Sequence, residues 1–116
     1  MFAVFGVTDT VCEARAAKLV ADGRKYRSKR LDEDDEPIIY RGGVEIASAM
    51  FEEMKPIKLS PVYSNRKEAE QYKQLAERSV KARALSIKKR VHPLDDNGYP
   101  VVDPKTKKPK YTWEPA

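Results

Sequence analysis

The sequence predicts a small single α+β domain: a short sheet, two to three helices including one long basic helix, and a C-terminal β-hairpin. Three observations carry that class. Short apolar runs of strand length alternate with segments of helical period. Residues 66–90 hold nine Lys or Arg against three Glu with no Gly or Pro among them. Beyond residue 93, turn signals alternate with β-favouring residues. A length of 116 residues suffices for one core, and 35% charged against 41% apolar residues keep that core modest. The expected division is a body over 1–94, ending in the basic helix at about 65–90, followed by a Pro/Lys-rich hairpin or tail over 95–116.

Residues 1–7 bring Phe2, Val4 and Val7 together among small residues and read as a buried strand. They lack the basic n-region, long apolar stretch and cleavage site of a signal peptide. Thr10 and Glu13 have the spacing of a capping box, after which Cys12, Ala16, Leu19 and Val20 recur at helical intervals until Asp22 and Gly23 end them. Five basic residues in 24–30 and five acidic residues in 32–36 cancel one another, as expected of a solvated loop or an exposed strand edge that Pro37 closes. Residues 38–40 form a short strand candidate, and Gly42 with Gly43 a turn. Val44, Ala47, Met50, Phe51 and Met54 then follow a helical period that Pro56 closes. Ile57, Leu59 and Tyr63 suggest an extended edge segment, demoted by Pro61.

The basic helix follows. Ser64 or Asn65 can cap it, Glu68 and Glu70 suit the positive end of its macrodipole, and Lys88, Lys89 and Arg90 suit the negative end. Tyr72, Ala76, Val80, Ala84 and Ile87 make a thin apolar stripe, suited to packing on the body or to self-association. In the tail, Asn97 with Gly98 and 103–106 supply two turns between arms at 99–102 and 110–113. Those arms would bring Tyr99, Val101, Tyr111 and Trp113 close together.

Few features belong to catalysis. His92 is the only histidine and precedes Pro93, and Cys12 is the only cysteine and lies on the apolar side of its helix. A Cys-His site would need those two to meet by folding alone. One cysteine excludes an internal disulfide and suits a reducing cytoplasm. The acidic runs at 32–36 and 95–96 lack calcium-loop spacing, and no phosphate-cradling glycine motif occurs. No run approaches the roughly 18 apolar residues of a membrane span. The chain therefore reads as a cytoplasmic binder and not an enzyme, with no cofactor and no metal.

Its net charge of +5 and the placement of its cations point to a partner that is negatively charged. Arg78, Lys81, Arg83, Lys88, Lys89 and Arg90 form one basic set, and Lys105, Lys107, Lys108 and Lys110 a second. Lysines among Tyr99, Tyr111 and Trp113 can neutralise phosphate beside rings that stack on bases. The expected function is binding to nucleic acid or to a nucleic-acid-handling complex through a basic helix face. The alternative is a small inhibitor or adaptor that occupies the acidic surface of a host nucleoprotein complex, of the anti-CRISPR-like type carried by mobile elements. A structural subunit of a larger assembly, paired through the Tyr72 to Ile87 stripe, is the third expectation.

Overall fold

Residues 1–116 are described by a computed structural model in which β1 (Phe2–Thr8) is the middle of the fold. It is apolar along its whole length because both of its faces are covered. Val7 packs with Cys12, Ala16, Ile46 and Met50 in a core cluster supplied by α1 (Asp9–Ala21) and α2 (Gly43–Glu53). Strand alternation turns Phe2, Val4 and Gly6 the other way, toward α3 (Arg66–Ser79), which lies against β1. Ala3, Val4 and Val7 are fully buried as a result.

Four strands make the main sheet in the order β4 (Ile57–Lys58), β1, β5 (Ala82–Val91), β6 (Thr112–Pro115), and every neighbouring pair is antiparallel. Val4 pairs with Ile87, Ala3 with Lys88 and Phe2 with Lys89. Between Phe5 and Val7 the register shifts, because Gly6 faces both Ala84 and Leu85. Ala84 takes a left-handed backbone at φ 55° to make this bulge. Glycine suits position 6 opposite it, since a Cβ there would lie 2.6 Å from Leu85 Cδ2, which would have to move, and 3.3 Å from the Arg83 carbonyl oxygen. A separate two-stranded sheet joins β2 (Tyr26–Leu31) and β3 (Pro37–Tyr40) across the acidic turn at 32–36.

Most expected elements are present, with shifted limits. The first helix is capped by Thr8, whose Oγ1 accepts from the Val11 N–H, and not by Thr10, because the strand hands directly over to the helix. Gly23, at φ 68°, ends that region as expected. Asn65 caps α3 by accepting from the Lys67 N–H.

The helix expected over 65–90 is corrected by the structure. It stops at Ser79, and β5 takes residues 82–91. Strand pairing with β1 outweighs the helix propensity of Lys, Arg, Ala and Leu, since otherwise one whole edge of the buried β1 would lack hydrogen bonds. The stripe of Tyr72, Ala76, Val80, Ala84 and Ile87 breaks with it. Tyr72, Ala76 and Val80 line a groove beside α3 with Leu75, whereas Ala84 sits in the bulge and Ile87 opposite Val4.

The C-terminal arms meet, but in a different arrangement from a lone hairpin. The Lys110 N–H donates to the Val101 carbonyl, the Val101 N–H donates to the Pro93 carbonyl, and Val102 bridges to Pro109. Segment 100–102 thus inserts where β5 and β6 diverge. The second arm continues as β6, which pairs with Lys88, Lys89, Arg90 and Val91 and so belongs to the main sheet. Turns form at both expected places, with Gly98 at φ 81° and Lys107 at φ 56°. The arm buries little. The whole chain has a radius of gyration of 18.0 Å and a longest dimension of 54 Å, against a radius of about 13 Å for a compact domain of this length.

Candidate nucleic-acid interface

With β5 a strand, the basic set is sorted by strand alternation and not by helical turns. Within α3 the charges nearly cancel: Arg66, Lys67, Lys73 and Arg78 stand against Glu68, Glu70 and Glu77. Arg66 pairs with Glu70 at 3.1 Å and Lys73 with Glu77 at 3.4 Å. The uncompensated charge lies just beyond, because residues 80–91 contain Lys81, Arg83, Lys88, Lys89 and Arg90 and no acid. Of the expected helix-borne cations only Arg78 is on the helix.

Arg83 has an internal role. Its Nε donates to the Phe51 carbonyl and its Nη2 to the Met54 carbonyl, at the end of α2, where no basic residue of the helix's own last turn is available. A guanidinium there satisfies terminal carbonyls and faces the negative end of the helix macrodipole. Lys81 extends over the Phe51 ring, with Nζ 5.0 Å from its centroid. These two cations therefore join the start of β5 to α2.

Farther along, Lys88 and Arg90 share the β1 face that carries Ala3 and Phe5, and Lys89 points to the opposite face, across from Glu114. Lys88 Nζ stands 4.8 Å from the Phe5 ring centroid. The Arg90 guanidinium stands 5.3 Å from the Tyr111 ring. Trp113 is paired with Arg90 across the β5–β6 ladder and meets the Phe5 ring edge-on at 5.2 Å. Tyr111 in turn meets Trp113 at 6.2 Å and His92 at 6.3 Å. Cations and rings thus alternate along one surface, Phe5 and Lys88, then Trp113 and Arg90, then Tyr111 and His92. The two sequence signals, a basic run and aromatics in the tail, become one site through a strand pair.

The cations of this surface lack counter-ions. The ion pairs of the chain are Arg30 with Glu52, Arg66 with Glu70 and Lys73 with Glu77, none of them here. Arg90 Nε is buried without a hydrogen-bond partner, a state that costs about 1–3 kcal/mol. His92 is held by its Nδ1, which lies 3.0 Å from the Lys110 carbonyl and so carries the proton toward it. Tyr111 remains 52% exposed and Tyr99, farther out on the arm, 69% exposed. Tyr99 is not drawn into the ring cluster, contrary to the expectation that all four arm residues would converge. Lys105, Lys107 and Lys108 sit in the exposed turn that the Asp103 carboxylate organises by accepting from the Lys105 N–H at 2.8 Å.

Elsewhere the titratable groups serve packing. Burial pushes the Cys12 thiol up, because desolvation disfavours the thiolate. Glu53, at the end of α2, accepts from Tyr26 at 2.8 Å, from Ser28 and from the Lys29 N–H at 3.1 Å, tying the β2–β3 sheet to the helix. Burial alone would raise its carboxyl, but these hydrogen bonds outweigh burial and hold it below the ordinary range. The Tyr26 hydroxyl is pushed up to about 12 by burial and by its bond to Glu53. No local pattern in the sequence marks this network, because its members come from two elements, β2 and α2, separated by 24 to 27 residues. The Asp95 carboxylate accepts from the Asn97 and Tyr99 N–H groups, both at 2.9 Å, and so closes a turn.

Two grooves open on the surface. One, of about 570 Å³, runs between α1 and α2 over Ala17, Val44, Ala47 and Phe51 with Asp9 and Glu13 at its rim. The other, of about 420 Å³, follows α3. No cluster of three or more His, Cys, Asp or Glu is placed to hold a metal ion, and no helix is long and apolar enough to cross a membrane. Compared with known protein families, curated proteins and solved structures, the chain matches none.

Proposed function

We propose that this protein is a non-enzymatic binder of nucleic acid, acting through the outer half of β5 together with β6 and the lysine-bearing arm. The observation that carries the reading is the pairing of Lys88 and Arg90, both without counter-ions, with an aromatic cluster on a single sheet face. Unpaired cations on a low-polarity surface attract phosphate and release condensed counter-ions when they meet it. Lys105, Lys107, Lys108 and Lys110 extend the positive surface along the arm, and Arg78, Lys81 and Lys89 contribute at longer range. Arg83 contributes chiefly to the fold, since its Nε and Nη2 donate to the Phe51 and Met54 carbonyls at the end of α2.

The test is a titration of the intact protein against labelled double-stranded DNA, single-stranded DNA and RNA at two salt concentrations. Binding that weakens steeply with salt, and is abolished by Lys88→Glu with Arg90→Glu in a protein that still folds, supports the reading. No binding to any polymer at low salt overturns it.

The arm favours a second reading. It leaves Leu94, Tyr99 and Val102 exposed, which suits docking into a nucleoprotein complex as an inhibitor or adaptor. Stoichiometric capture of one protein partner with no affinity for free polymer would replace the first reading by this one.

A further inference from the structure

We propose that the polymer held by this face is single-stranded, with an unpaired base stacked on Tyr111 and the flanking phosphates held by Lys88 and Arg90; this rests on the nucleic-acid reading above and narrows it. In a duplex the base faces are already stacked on one another, so an aromatic surface gains nothing from them. In a single strand each base offers a free π-face.

The geometry of Tyr111 fits that role. Arg90 lies over its ring at 5.3 Å, and Trp113 and His92 approach it edge-on at 6.2 and 6.3 Å. Neighbours therefore fix the ring's orientation, while half of the residue stays open to solvent. Orienting an exposed ring in advance lowers the entropy lost when a base lands on it. The Arg90 backbone N–H donates to the Met1 carbonyl, whereas its guanidinium stands against the ring face with a buried, unpartnered Nε. Its charge is thus available to a phosphate next to the stacked base. Lys88 lies two residues back on the same face of β5, roughly 6.7 Å along the strand at about 3.3–3.4 Å per residue, so the pair addresses successive groups of a backbone running along β5. A continuous sheet face with cations and rings interleaved tracks one strand, whereas entry into the major groove is made by a helix or a narrow ribbon.

Trp113 provides the readout. It is the only tryptophan, and its ring lies 6.2 Å from Tyr111, so its emission reports on what stacks there. The experiment follows Trp113 fluorescence of the full chain during titration with oligo(dT), oligo(U) and a duplex of equal length. The single strands are expected to change the emission and to bind more tightly than the duplex. Tyr111→Leu should weaken single-strand affinity about 5- to 150-fold, and Tyr111→Phe, which keeps the ring, should retain it. If Tyr111→Leu binds single strands as tightly as the unaltered protein, or if the duplex binds equally well, the stacking inference is overturned while phosphate binding stands. If no polymer binds, the nucleic-acid reading itself fails.

Discussion

The two halves of β5 carry the same kinds of residue and do opposite things with them. In the first half Arg83 turns toward α2 and gives its donors to the Phe51 and Met54 carbonyls. In the second half Arg90, on the same side of the strand, lies on the Tyr111 ring with its Nε unpartnered. The difference is one of neighbours. The end of a helix is within reach of Arg83, whereas Trp113 of β6 and the preceding Tyr111 are beside Arg90. A run of positive charge in a sequence is therefore not a surface until the topology has divided it into cations that are used and cations that are free.

Removing each arginine should separate the two roles most sharply. Arg83→Met leaves two helix-end carbonyls without their donors and should cost about 3 kcal/mol in denaturant unfolding, with affinity for polymer kept in the molecules that remain folded. Arg90→Gln should do the reverse, with a small change in stability and a large loss of binding. Equal destabilisation by the two would erase the distinction.

The inner half also depends on the α2 end being held at the β2–β3 sheet. Glu53→Gln should cost about 2 kcal/mol, because a charged acceptor of several hydrogen bonds is replaced by a neutral one. Two pH limbs follow. The Glu53 carboxyl is held lower in the folded chain than in the unfolded one, so its contribution is complete above the ordinary glutamate value and is lost as pH falls through the depressed one. Tyr26 is raised to about 12, so its contribution is complete below the ordinary tyrosine value of about 10 and is lost as pH rises from there toward 12. Urea unfolding across this range should show both limbs in the unaltered protein, and Tyr26→Phe should flatten the alkaline one.

The bulge that separates the halves gives the smallest effects. Gly6→Ala should destabilise by about 1.5 kcal/mol, since the new methyl would press on Leu85 and on the Arg83 carbonyl. Ala84→Gly should stabilise by about 1 kcal/mol by relieving the left-handed backbone at that position. Both are read as shifts in unfolding midpoint.

The same bulge explains what could and could not be read from the residues. The first strand, the helices around Ala16 and Met50, the edge at Ile57 and the turn at Gly98 all carry local signals, a hydrophobic period or a glycine at positive φ, and these were legible. β5 was not. Its extra residue places the inward Ala82, Leu85 and Ile87 at spacings of three and two, and in a stretch of Lys, Arg and Ala such spacing imitates a helical period. Only the need of β1 for a partner decides it, and that need comes from the far end of the chain. The candidate surface was half legible for the same reason. Lys88, Arg90, Tyr111 and Trp113 all stood out by type, but their meeting depends on β6 returning to β5 after an excursion of twenty residues, from 92 to 111.

The salt dependence of polymer binding tests the account most directly. Each phosphate contact of a single strand contributes about 0.7 to the slope of log affinity against log salt. Replacing Lys88 and Arg90 together by Gln should lower the magnitude of that slope by about 1.4, whereas replacing the ion-paired Arg66 and Lys73 of α3 should leave it unchanged. A slope that ignores Lys88 and Arg90, or that falls as much when the helix cations are removed, would contradict the assignment of the outer half of β5 as the phosphate-binding surface.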